Sequence, residues 1–308
     1  MNKETNALND SIADILIVGG GLVGAVAARA LSNSGLSVIV VDGQDPSLAT
    51  AAAFDGRASA VAAASKRLLT AIGIWPYLEN DVSPILDIRV ADGASPMFLH
   101  YDHEDVGVGP LGYLAENRHI RCSALSALKN DPNIIFLAPM RVEELVRDSN
   151  LVTATLSDGS VVTASLAIAA DGRGSKTREN AGIKTTDWQY PQEAIVCTVE
   201  HEKPHAFIAH EHFLPAGPFA ILPLKGTSER PAQRSSIVWT ERAAHARQFV
   251  GLDDPNFIRE LSRRFGDFMG KISVVGPRFC HPLGLQFAET SVAQRLVLIG
   301  DADHGMHP

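Results

Sequence analysis

A glycine-punctuated strand-turn-helix near the start of the chain restricts the fold more than any other feature. Residues 14–18 form an apolar run, residues 19–24 carry the glycines, and residues 25–31 are rich in alanine. Gly19, Gly21 and Gly24 fit G-x-G-x-x-G, and a second run at 37–41 ends in Asp42. Each position has a physical task in a dinucleotide-binding turn. Gly19 permits the sharp exit from the strand, Gly21 lets backbone approach a pyrophosphate, and Gly24 lets helix and strand pack closely. The helix N-terminus offers free N–H groups to phosphate, and Asp42 is placed to accept a hydrogen bond from a ribose hydroxyl. The bland alternative is a tight strand-to-helix turn with no ligand.

With 308 residues and 45% hydrophobic content, the chain can bury a large core and form two domains. Its net charge of −8 argues against a nucleic-acid partner, which calls for a basic face. The three cysteines, Cys122, Cys197 and Cys280, are scattered and form no C-x-x-C, as expected of reduced thiols in a cytoplasmic protein. Residues 1–13 are polar, so no signal peptide is read, and no apolar run is long enough to span a bilayer. A soluble protein is expected.

Periodicity predicts a strand, helix and strand at 14–18, 22–34 and 37–41, then a small-residue loop and a helix over 58–72. Strands at 85–90 and 97–101 are joined by Asp92-Gly93, a hairpin signal. A helix over 117–129 and a strand at 134–137 follow. Runs at 141–147, 151–156 and 161–170 then read as a meander leading into a buried strand. Short alternating strands at 193–200, 206–213, 219–224 and 235–239 precede a helix at 254–268, and a buried strand returns at 295–301. The expected class is α/β: a Rossmann-like domain with a parallel sheet and small meander, interleaved with an antiparallel-sheet substrate domain. The first takes residues 1–84, 107–183 and 277–308, and the second 85–106 and 184–276.

Two further strand ends carry acids. One leads to Asp171-Gly172 and a basic Ser/Thr-containing segment with Arg173, Ser175 and Lys176; the other leads to Gly300-Asp301. Acids at strand C-termini sit where open α/β sheets bind ligands. With the glycine turn, in this order, the three motifs resemble the class A FAD-dependent monooxygenases, the flavoprotein aromatic hydroxylases. The segment 54–75, with Arg57, and the run Asn117-Arg-His-Ile-Arg121 are similar to the ubiquinone-biosynthesis hydroxylases. The resemblance covers essentially the whole chain. It implies that Asp171 with Gly172 serves FAD and NAD(P)H, and that Asp301 with Gly300 serves the FAD ribitol. It places Arg57 near the flavin and offers Arg118 or Arg121 as an FAD contact.

The implied activity is hydroxylation of a polyprenylated phenol in ubiquinone biosynthesis. FAD is the cofactor, NAD(P)H the electron donor and O2 the oxidant. The implied setting is cytoplasmic, with peripheral contact with the inner membrane and a place in a ubiquinone-biosynthesis complex as further options. Relatives continue past the Gly-Asp segment into a glycine-rich turn against the flavin, so a domain incomplete at its C-terminus is expected. Two alternatives stand beside this reading: another flavoprotein aromatic hydroxylase, or a non-catalytic module that holds a quinone precursor. No catalytic residue can be named from the sequence. His210 and His212 share a strand face without a third ligand, so no metal site is assigned. Phe207, Phe213, Phe219, Leu222, Pro223 and Trp239 are either pocket-lining or ordinary sheet core.

Overall fold

The computed structural model describes residues 12–51, 56–93, 95, 97–107 and 109–306. Phe54 and Asp55 of the Arg57 segment, and His307, lie outside the described residues. The fold is mixed α/β. Strands β1 (Ile12–Val18), β2 (Val38–Val41), β8 (Ile134–Leu137), β11 (Val161–Ala169) and β18 (Leu296–Leu298) form a parallel sheet. Their order is β18-β11-β1-β2-β8, and Val18 lies level with both Ala169 and Val41. The strands are near-continuous apolar runs because both faces are covered.

On one face, helices α1 (Leu22–Ser32) and α3 (Asn117–Leu128) bury Ala25, Ala28, Ile120 and Ala124 against Ile15, Ile17, Val38 and Val40. On the other, the antiparallel meander of β9 (Val142–Arg147) and β10 (Val152–Leu156) on β11 buries Ala154 and Leu156 against Leu16, Val18 and Ala167. Short β17 (Val292–Ala293) closes the β18 edge.

The second large sheet runs β16-β12-β15-β14-β13-β5-β6, with β19 (His304–Gly305) on its β16 edge. Its strands are β5 (Asp87–Asp92), β6 (Phe98–Asp102), β12 (Thr185–His201), β13 (Ile208–Leu214), β14 (Gly217–Leu224), β15 (Arg234–Arg242) and β16 (Ile272–Ala288). All neighbours are antiparallel except β13 and β5, which run parallel. This sheet therefore continues past position 276 through β16. Helices α5 (Ala243–Val250) and α6 (Asp254–Phe265) cover one face. In α6 the Asp253 side chain caps the first turn through Asn256 N, and Phe257, Leu261 and Phe265 face inward at helical spacing.

Between the large sheets lies a small one in the order β3-β7-β4: β3 (Ala58–Ala62), β7 (Gly112–Glu116) and β4 (Val82–Ile85). It corrects the expected helix over 58–72. Residues 58–62 pair with β7, and only Ala63–Ala71 is helical, here α2. The alanine-rich sequence favours helix intrinsically, but the tertiary pairing overrides that weak preference. Ile85 likewise ends β4 rather than opening the hairpin strand, which starts at Asp87.

Trp239 is 1% exposed, packed among Phe219, Phe249 and Phe257 under the Arg264 guanidinium. We expect Trp239→Ala to destabilise the protein by about 3–5 kcal/mol, as aromatic truncation in a closed core does. Trp188, 64% exposed, should tolerate alanine within about 0.5 kcal/mol. Denaturant melts of the two variants check the contrast.

Candidate functional site

Because β18, β11, β1 and β2 are parallel neighbours, their C-terminal ends share one edge of the sheet. The three sequence motifs and Asp42 all leave from that edge. Backbone hydrogen bonds lace the exits together: Gly19 N to Val41 O, Ala170 N to Val18 O and Ile299 N to Ala169 O, at 2.7–3.0 Å. Gly19 has φ +101°, and a Cβ there would overlap the Ala170 carbonyl. A Cβ on Gly24 would overlap the Gly19 carbonyl oxygen. Helix α1 thus settles onto the turn because both positions lack side chains. Gly300, in a short 3-10 turn, packs against Val23 in the first turn of α1, with Asp301 exposed beside it.

A cleft of about 710 Å³ opens at this edge. Gly19, Gly21, Asp42 and Gln44 line one side, Asp171, Gly172 and Lys176 another, and Arg141 a third. A narrow recess beside Gly20, Gly21 and Asp42 is closed by Arg121 from α3. The cleft's chemistry fits a dinucleotide. A Cβ at Gly21 would meet no described atom within 4 Å, and the first turn of α1 is capped by no side chain, so its N–H groups stay available. Lys176 and Arg141 add positive charge near them. Asp171 Oδ2 accepts from Thr177 N and Oγ1, whereas its buried Oδ1 has no partner among the described residues. Asp42 accepts from Gly20 N at 2.6 Å and Gln44 N at 2.7 Å, and its carboxylate retains further lone pairs.

The remaining sequence candidates divide. Arg121 joins Gly21 and Asp42, whereas Arg118 lies in a separate recess of about 180 Å³. There Arg118, His119 and Arg234 all engage Glu116, at 3.1–3.3 Å. Burial alone would raise the Glu116 carboxyl. Hydrogen bonds from His119, Arg234 and Arg118 outweigh it and hold the group well below the usual carboxylate range. Arg57 is exposed; its carbonyl accepts from Asn117 N at 2.9 Å, one helical turn before Arg121. Phe219 and Trp239 prove to be core beneath the helices, Phe213 is exposed, and Leu222 lies on the opposite sheet face.

Arg178 was missed as a site organiser. It is only 3% exposed and donates to Ala302 O and Arg173 O at 2.9 Å, with a longer contact to Gln286. One guanidinium therefore ties the Asp-Gly motif to the Gly-Asp motif and to β16. The basic character of segment 173–178 was the available signal, but it suggests a solvent- or phosphate-facing cation rather than a buried one.

Residues 12–308 match the family described as FAD binding domain. Ubiquinone hydroxylase UbiL of Rhodospirillum rubrum is 52% identical over 299 residues, spanning 97% of this chain and 68% of that protein. The 3-demethoxyubiquinol 3-hydroxylase of Escherichia coli is 30% identical, spanning 96% of this chain and 74% of that protein. Among solved structures, p-nitrophenol 4-monooxygenase PnpA from Pseudomonas putida DLL-E4 is similar with a TM-score of 0.75. It is 17% identical and covers 96% of this chain and 74% of its own, a likeness of fold.

We expect Arg178→Met to cost about 2–4 kcal/mol, because buried carbonyls lose their donors. A denaturant melt measures it, and an unchanged midpoint would count against the tie.

Proposed function

Since the chain belongs to the FAD-binding family of ubiquinone-biosynthesis hydroxylases, we propose that it hydroxylates a polyprenylated phenol, using NAD(P)H and O2. The observation that carries this reading is the shared edge at which Gly19–Gly24, Asp171 and Gly300–Asp301 leave adjacent parallel strands. When bound there, FAD supplies the redox chemistry that moves electrons from NAD(P)H to O2 and one oxygen atom to the ring.

The protein's own part is to bind, orient and shield. The N–H groups opening α1 would hold the pyrophosphate, with Arg121 close by, and Asp42 would accept from a ribose hydroxyl. Asp171 Oδ1 would accept a hydrogen bond from the cofactor, and Asp301 would serve its ribitol. In this reading the parallel-sheet part holds the cofactor, and the antiparallel sheet faces the phenol. Arg57 belongs to the seam between them, because Gly56 beside it rests on the Phe279 ring of β16.

We read the setting as the membrane surface, with the protein bound peripherally. A polyprenyl phenol partitions into lipid, and Met97, Phe98, Leu99 and Tyr101 are exposed at the β6 edge. Among the described residues no helix is long and apolar enough to cross a membrane.

Purified full-length chain mixed with FAD should show a bound-flavin spectrum. Supplied with NADH or NADPH, it should place 18O from labelled O2 into 2-geranylphenol, as read by mass spectrometry. No product with either donor would overturn the hydroxylase reading. Gly21→Val should keep the fold, since the added side chain meets open space in the apoprotein, yet lose FAD because that space is where a pyrophosphate would lie. Circular dichroism and flavin content test the two halves separately; full flavin content in the folded variant would refute the placement.

A further inference from the structure

Glu211 on β13 is a half-buried acid without an assigned task. Its Oε1 is shut off from solvent and has no hydrogen-bond partner among the described residues. Such an atom calls for an explanation, since buried polar atoms are otherwise satisfied. The sheet register places the side chain. Glu211 shares its face with Ala209, which packs with Leu224 against Ile85 of β4 and Leu114 of β7. His210 and His212 point to the opposite face, where His210 meets Phe268. Glu211 therefore faces the cofactor side of the molecule, away from α5 and α6.

The row of directly paired residues starting at Glu211 is Ala220, Val238, Val196 and Phe279, all small or apolar. Val238 and Phe279 are only half-buried, so the opposing layer does not fill this face. The row ends where Phe279 meets Gly56, next to Arg57. An acid with a free acceptor at one end of an apolar row suits a ring that carries a hydroxyl and an apolar tail.

We propose that Glu211 is the group that accepts the phenolic proton of the substrate. The proposal rests on the hydroxylase reading for its substrate. The phenolic O–H bond breaks, the proton passes to the Glu211 carboxylate, and the electron pair stays on the phenolic oxygen. The ring becomes more electron-rich and better able to take up an electrophilic oxygen. Burial pushes the Glu211 carboxyl up to about 7. That matches a general base working near neutral pH. Val90 of β5 and Leu99 of β6, in line with it, are uncharged. By register the titratable and charged residues on this face are the exposed Asp92 and Tyr101 on the β5–β6 side, and His281, Arg242, Arg234 and Glu200 farther across the sheet.

The test uses FAD-loaded full-length protein and 2-geranylphenol. Without NAD(P)H, wild-type affinity should rise about tenfold as pH passes upward through 7, when Glu211 ionises and its hydrogen bond to the hydroxyl becomes charge-assisted. Glu211→Gln, close in shape, should bind with no such pH dependence. It should keep its FAD and its reduction by NAD(P)H, and lose about 100-fold or more in hydroxylation. Glu211→Asp should recover part of both the pH dependence and the turnover. A Gln variant with the wild-type pH profile and rate would sink the proposal, as would a wild-type affinity flat across pH 7. If the wild type shows the dependence, Gln abolishes it, and yet nothing is hydroxylated, the hydroxylase reading fails while the contact from Glu211 to the phenol stands.

Discussion

The missing side chains at Gly19 and Gly24 are the constraint on which the site depends. Any Cβ at Gly24 would overlap the Gly19 carbonyl, and any at Gly19 would overlap Ala170. Helix α1 can approach the sheet edge only at that spacing, which aims its uncapped N-terminus into the cleft. The approach also sets the third motif, because Gly300 rests on Val23 in the same helical turn. A side chain at Gly24 would lift the helix from the sheet edge and disturb the exits of β11 and β18, which lie far from it in sequence.

Two charged clusters then hold the remaining layers in register, by different means. Glu116 at the end of β7 is gripped by Arg234 of β15 and by Arg118 and His119 of α3, an arrangement with opposite charges in contact. Arg178 instead donates to the carbonyl oxygens of Ala302 and Arg173, with a longer contact to the Gln286 side chain. Its charge is offset at longer range by Asp187, which is itself bonded to Gln286. Such a buried cation adds little net stability but is costly to orphan, which favours a single arrangement of the three segments it joins.

Much of this was legible in the sequence. The first strand, turn and helix, the Asp-Gly and Gly-Asp strand ends, the meander and the α6 face all follow from glycine placement and apolar period. The small sheet was not legible, because Ala58–Ala62 carries no alternating pattern and its partner β7 opens at Gly112 after Pro110. Nor was the full length of β16, in which Gly276, Pro277, Pro282 and Gly284 disguise a strand that pairs with β12 across two register shifts. Arg118 and Arg121 show the finer limit. Three residues apart on one helix, they face different recesses, and only the packing of α3 on α1 decides which one meets the glycine turn.

The stretch from His210 to His212 shows why composition alone misdirects. Three titratable residues in succession suggest one cluster, yet a strand's two-residue period splits them between faces. Both histidines fall on the helix side, where burial holds His210 down at about 4, with neighbouring positive charge adding to the effect. Glu211 falls on the other side, where burial raises the carboxyl to about 7. One cause acts with opposite signs on a base and an acid, since desolvation favours whichever form is neutral. For the histidine, the neutral form lies far from its titration point at physiological pH, so it stays an inert packing element. For the glutamate, the same burial brings the titration point into the working range. The residue positioned to exchange protons is therefore the acid between the histidines, and the sheet register identifies it where the sequence could not.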